Sequence, residues 1–298
     1  MKEKVLAIVG PTASGKTALS IKIAQKYNGE VISADSRQVY KGLDIGTEKV
    51  TASEMQGVPH HLIDVIEPNK TFTVKNFVEL AQDAIQDIAS RRNLPIIAGG
   101  AGFYIDALLY NLEFPEVPPN EMLRKVFEEK DEQELFDILM EKDAERAATI
   151  DPHNKRRLVR ALEIVAAVGR VPSTETNNPV YDSLILGIRT EENVLRERIE
   201  KRLLETCKKG LVEEVSNLHK GGLSWERLSE FGLEYRVASE FIRGETSDKE
   251  MHKKMVSALQ QYAKRQMTWF RRNENINWVS LHEQNAIEHM VEDFLKRV

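Results

Sequence analysis

Gly10-Pro11-Thr12-Ala13-Ser14-Gly15-Lys16-Thr17 has the spacing glycine, four residues, then Gly-Lys-Thr. The chemistry of that spacing is phosphate binding. Glycines let successive backbone N–H groups turn inward around phosphate oxygens, and the N-terminus of a following helix adds a favourable dipole. Lys16 supplies a positive charge, and the Thr17 hydroxyl can ligate Mg²⁺. A second candidate lies downstream in Asp35-Ser36-Arg37-Gln38-Val39-Tyr40. A carboxylate at Asp35, just after an apolar run, is placed either to take a proton from a nucleophile near bound phosphate or to cap a helix.

These residues need elements to hold them. Val5-Leu6-Ala7-Ile8-Val9 reads as a buried strand, and the apolar spacing of Ala18, Leu19, Ile21, Ile23 and Ala24 reads as a helix, so the glycine loop stands between the two. Further strands are expected over 30–34, 62–66, 95–98, 184–188 and 276–281, with helices between several of them. Apolar strands alternating with helices predict an α/β fold, a parallel sheet flanked by helices and carrying the phosphate loop. Asp35 then sits at the carboxyl edge of the sheet, on the same side as that loop.

Between the sheet segments the pattern becomes purely helical. Phe114-Pro115-Glu116-Val117-Pro118-Pro119 opens this stretch and Asn177-Asn178-Pro179 closes it. The expected organisation is a core over 1–112, an all-helical insert over 113–178, and the second part of the core over 179–298. Long helices are expected over 191–209 and 249–272. In the second of these, Val256, Leu259, Ala263, Met267 and Phe270 form the predicted core stripe.

Composition bounds the rest. With 298 residues, 41% of them hydrophobic, the chain can fill a substantial core. No apolar run is long enough to cross a bilayer, and Met1-Lys2-Glu3-Lys4 opens no signal-peptide pattern, so no membrane association and a cytoplasmic location are expected. A single cysteine, Cys207, permits no internal disulfide, and the adjacent His60-His61 reads as packing rather than a metal pair. The net charge of −5 argues against indiscriminate nucleic-acid coating but permits local basic grooves, for which 155–160 and 263–272 are candidates.

Taken together the motifs resemble the tRNA dimethylallyltransferase family, also called tRNA isopentenyltransferases. The resemblance is carried by residues 10–17 and 35–40, by Asp-Ile-Gly-Thr at 44–47, and by Gly-Val-Pro-His-His-Leu-Ile-Asp at 57–64. It continues through Gly-Gly-Ala-Gly-Phe-Tyr at 99–104, Arg-Leu-Val-Arg-Ala-Leu-Glu at 157–163 and Tyr-Ala-Lys-Arg-Gln-Met-Thr-Trp-Phe at 262–270. It implies that Thr12 to Thr17 hold the pyrophosphate of dimethylallyl pyrophosphate with Mg²⁺ assisting, and that Asp35 is the base on an adenine N6 amine. Arg202 would join Lys16 and Thr17 in stabilising the departing pyrophosphate. Its alternative role is a surface salt bridge to Glu200 or Glu205.

The resemblance also implies a tRNA anticodon stem-loop as partner, with adenine 37 of tRNAs reading codons that begin with U as target. An adenine inside such a loop must be extruded before its amine can react. The implied RNA contacts are Asp35, Ser36, Arg37, Gln38, Ala101, Arg124, Arg156, Arg157, Leu158, Val159, Arg160, Phe231, Gly232, Leu233, Glu234, Tyr235 and Arg236. The family usually has threonine at Ala101, glycine at Glu234, and commonly methionine at Arg37. A monomer is expected. The rival readings are a small-molecule kinase using the same loop for ATP, and a catalytically impaired tRNA-binding protein of the same fold.

Overall fold

The computed structural model describes residues 2–112, 114–172 and 179–297. Glu113 and residues 173–178, which hold the expected boundaries of the helical insert, lie outside the described residues. Two compact units result: Met1–Asn111 with Asn178–Val298, and Leu112–Asn177.

The first unit is built on one parallel sheet. Its strands are β1 (Lys4–Val9), β2 (Gly29–Ala34), β3 (His60–His61), β4 (Leu94–Gly99), β5 (Asp182–Ile188) and β6 (Ile276–Val279), in the spatial order β3-β2-β4-β1-β5-β6. Val5 to Val9 are all essentially buried, because helices cover both faces of the central strands. On one face, Leu6, Ile8, Leu186 and Ile188 pack against Leu19 and Ile23 of helix Lys16–Tyr27 and against Val291 and Phe294 of helix Gln284–Lys296.

Two expectations are corrected. The apolar run 62–66 is not the third strand. Pairing with β2 occurs one step earlier, at His60 and His61, and ends because Leu62 and Asp64 adopt φ of 62° and 55°, which a strand cannot hold. Only an isolated bridge, Tyr40 to Ile66, follows. His61 then lies with Nε2 2.7 Å from Glu30 Oε2, and Arg91 and Asn93 complete the surroundings of that buried carboxylate. In helix Asp248–Phe270 the buried stripe is Met251, Met255, Leu259, Ala263, Gln266 and Phe270, so Met255 and Gln266 stand where Val256 and Met267 were expected.

The second unit contains helices Glu121–Glu128, Glu132–Lys142, Ala144–Ala147 and Lys155–Val168. Its core is formed by Leu135, Leu139, Leu158, Ala161, Leu162 and Val165.

Candidate active site

Strand register decides which loops meet. Val9 of β1 lies opposite Gly99 of β4, and Gly99 lies opposite Ala34 of β2. All three strands end at the same level, so the loops beginning at Gly10, Asp35 and Gly100 leave one edge side by side. Thr12, Lys16, Thr17, Asp35, Gly100 and Arg202 consequently line one cavity of about 340 Å³.

The phosphate loop is shaped as its sequence demands. Gly15, at φ 95°, is the left-handed residue that turns the chain into helix Lys16–Tyr27, whose N-terminus has no side-chain cap and no acidic residue in its first turn. Its leading N–H groups are left to serve an anion. Lys16 Nζ donates to the Pro11 carbonyl at 2.6 Å across the loop. Burial, reinforced by repulsion from Arg202 and only partly offset by Asp35, pushes the Lys16 ammonium down to about 7.

Asp35 serves as a turn cap, since Oδ1 accepts from the N–H groups of Arg37 at 2.8 Å and Gln38 at 3.3 Å. That turn engages Oδ1, so the other carboxylate oxygen is not required to maintain it. Ser36, Arg37 and Gln38 are half-buried beside it. The Gln38 amide donates to the carbonyls of Thr47 and Glu48.

Arg202, on helix Glu192–Lys208, does not pair with Glu200 or Glu205. Its Nη1 donates to Thr12 Oγ1 at 3.2 Å, and its Nη2 forms an ion pair with Glu48. The Glu48 carboxylate also accepts from Thr206 Oγ1 at 3.1 Å. Burial lowers the Arg202 guanidinium from its ordinary value, while Glu234 and Asp35 pull it back up.

Sequence reasoning left Glu48, Gln266 and Tyr262 without a role. Gln266 joins two of the loops: Oε1 accepts from Thr12 N at 2.8 Å and Nε2 donates to Gly100 O at 3.0 Å. Tyr262, one helical turn earlier, lines the cavity, and its hydroxyl is raised by burial and then by Asp35 and Glu234. Both residues belong to the motif at 262–270, but only the fold reveals which of its side chains line the cavity.

The remaining candidates divide by burial. Ala101 occupies the N-cap position of helix Gly102–Leu109 without a side-chain cap, directly after Gly100. Phe231 and Tyr235 are each 1% exposed and cannot offer their rings to RNA. In the same stretch Gly232, Leu233 and Glu234 are half-buried and Arg236 is exposed. The Glu234 carboxyl is raised by burial, with Arg202 and Arg37 opposing the rise.

In the helical unit Leu158 is fully buried, so a side-chain contact to RNA is ruled out there as well, and Val159 packs against the same core. Arg156 and Arg157 are exposed. Arg124 and Arg160 are held by the buried Glu163, whose Oε1 accepts from Arg124 Nε at 2.8 Å and whose Oε2 accepts from Arg160 Nη1 at 3.3 Å. Among the described residues no cluster of three His, Cys, Asp or Glu could hold a metal, and no helix is long and apolar enough to cross a membrane.

The family model described as IPP transferase matches residues 38–273. A tRNA dimethylallyltransferase 2 of Trichlorobacter lovleyi is 42% identical over 93% of this chain and 90% of its own length. A tRNA dimethylallyltransferase of Anoxybacillus flavithermus is 38% identical over 99% and 96%. The solved tRNA isopentenylpyrophosphate transferase of Bacillus halodurans superposes with a TM-score of 0.76 at 36% identity, covering 99% of this chain and 97% of its own. A eukaryotic dimethylallyltransferase acting on tRNA superposes with a TM-score of 0.84 at 27% identity, covering 98% of this chain and 79% of its own. A match over most of the length, at this identity and on this fold, has one meaning: the chain belongs to the IPP transferase family.

Proposed function

We propose that this protein, a monomer of the cytoplasm, transfers the dimethylallyl group of dimethylallyl pyrophosphate to N6 of adenine 37 in tRNAs reading codons that begin with U. The observation that carries this reading is the single cavity shared by Lys16, Thr17, Asp35 and Arg202. It joins a phosphate cradle to a carboxylate able to accept a proton.

In the reaction the adenine amine forms a bond to the first carbon of the dimethylallyl group while the bond from that carbon to pyrophosphate breaks. The amine proton passes to Asp35, and the bond pair leaves with pyrophosphate. Residues 12–17 hold the pyrophosphate through loop N–H groups and the helix N-terminus. Charge grows on the leaving oxygen as the bond lengthens, so Lys16 and Arg202 stabilise the transition state more than the bound substrate. The Thr17 hydroxyl is a hard oxygen donor that would hold Mg²⁺ beside the phosphate loop. Bound there, Mg²⁺ would neutralise charge on the pyrophosphate. Ser36, Arg37, Gln38, Ala101, Gly232 and Arg236 line the path of the extruded nucleotide, and the exposed Arg156 and Arg157 meet backbone phosphates together with Arg124 and Arg160.

Incubation of unmodified tRNA with labelled dimethylallyl pyrophosphate and Mg²⁺, followed by nucleoside analysis, tests the reading. Label on adenine N6 supports it. Absence of label accompanied by ATP hydrolysis would favour the kinase, and absence of label with tRNA still bound would favour the impaired binding protein.

A further inference from the structure

One carboxylate outside the cavity organises a loop inside it. Glu214, on helix Leu211–Lys220, accepts from three successive backbone N–H groups. Oε2 takes Asp44 at 2.9 Å and Ile45 at 2.7 Å, while Oε1 takes Gly46 at 3.0 Å. Oε1 also accepts the Tyr235 hydroxyl at 2.7 Å. The Tyr235 ring lies so close to the loop that a Cβ on Gly46 would stand 2.6 Å from it. Tyr235 is therefore turned inward as the second half of a clamp.

The clamped segment leads directly to Glu48. This residue sits at φ 50°, a left-handed conformation that a non-glycine residue holds only when its surroundings fix it. From there its carboxylate engages Arg202 and Thr206, and its carbonyl, with that of Thr47, receives the Gln38 amide. Gln38 belongs to the Asp35 turn, and Arg202 reaches Thr12 of the phosphate loop. A continuous line of hydrogen bonds thus runs from Glu214 to both sides of the proposed reaction.

We propose that Glu214, locked by Tyr235, is a positioning residue for the transfer reaction. By fixing the Asp44–Glu48 loop it holds Glu48 and Gln38 where they align Arg202 with the phosphate loop and brace the Asp35 turn. The inference rests on the function proposed above.

Single-turnover transfer, tRNA binding and backbone hydrogen exchange of Glu214→Gln provide the test. Glutamine keeps the size but turns an N–H₂ group toward backbone donors, which costs roughly the value of one or two charge-assisted hydrogen bonds. The expected result is a rate about 10–100-fold lower, tRNA affinity within about twofold of wild type, and faster exchange at Asp44, Ile45 and Gly46. Glu48→Gln combined with Glu214→Gln should lose less than the product of the two single losses, because the two residues share the Arg202 branch. Tyr235→Phe removes a single hydroxyl, so it tests the clamp by the same readouts, with a loss of a few-fold, should Glu214→Gln fail to fold. Full activity of Glu214→Gln beside active wild type, or losses that multiply in the double variant, would overturn the inference. Inactive wild type would instead overturn the function on which it rests.

Discussion

Arg202 reaches Thr12 across 190 positions of sequence, its Nη1 standing 3.2 Å from the threonine hydroxyl, while its Nη2 is tied to Glu48. A guanidinium held against the phosphate loop before any ligand arrives is preorganised, so little rearrangement is needed as leaving-group charge develops. Arg202→Gln should therefore lower the transfer rate by about 100–1,000-fold with a far smaller effect on tRNA affinity. Single-turnover rates beside filter-binding curves separate the two. Equal loss of tRNA binding would make Arg202 an RNA contact.

Lys16 makes substrate binding depend on pH. Its ammonium, pushed down to about 7 by burial and by Arg202, is largely neutral above that pH in the free protein, and a bound pyrophosphate favours the charged form. Binding of dimethylallyl pyrophosphate at pH 8 should take up a proton, and affinity should weaken as pH rises from 7 to 9. Titration calorimetry in buffers of different ionisation enthalpy measures that uptake, which Lys16→Met should abolish.

Glu163 ties stability to pH with the opposite sign. Burial alone would raise its carboxyl, but Arg124, the Asn120 N–H and Arg160 outweigh that effect and hold it below the ordinary glutamate value. A depressed folded value means that the stabilisation is present above the unfolded glutamate value and is lost as pH falls through the folded one. Glu163→Ala should destabilise the helical unit by about 3 kcal/mol, because two arginines lose the buried carboxylate between them. Thermal unfolding at neutral and acid pH measures this, and the wild-type advantage should shrink toward acid pH.

Arg156 and Arg160 share a sequence motif but should respond differently. Exposed Arg156 is free to meet phosphate, whereas Arg160 donates to Glu163 and to the Val117 carbonyl at 2.7 Å. Arg156→Ala should weaken tRNA binding and reduce the slope of log affinity against log salt by about one, with no change in stability. Arg160→Ala should lower the melting temperature as well. A salt slope unaltered by Arg156→Ala would remove that residue from the RNA surface.

The parts of this molecule legible in its sequence are those written in local pattern. β1, β2, β4, β5 and the phosphate loop follow from short apolar runs and one glycine spacing, and Asp35 follows from standing one residue beyond β2. β3 escapes local pattern because 62–66 is apolar enough to resemble a strand, while left-handed backbone at Leu62 and Asp64 is not written in hydropathy. Gln266 was hidden for a related reason, since a polar side chain on a buried face does not register as core. Glu48 and Glu214 were invisible because their roles consist of partners far away in the chain. Resemblance points Tyr235 toward RNA, yet its hydroxyl turns inward to Glu214.

The proposed transfer needs Asp35 as the proton acceptor. Asparagine at this position keeps an oxygen able to accept from the Arg37 and Gln38 N–H groups, so the turn survives, but it has no carboxylate to take the amine proton. The decisive measurement is single-turnover transfer by Asp35→Asn, with tRNA affinity determined on the same preparation. The expected rate is lower by about 100–10,000-fold with tRNA affinity retained. Transfer at the wild-type rate, or loss of tRNA binding in parallel with loss of transfer, would contradict that role for Asp35.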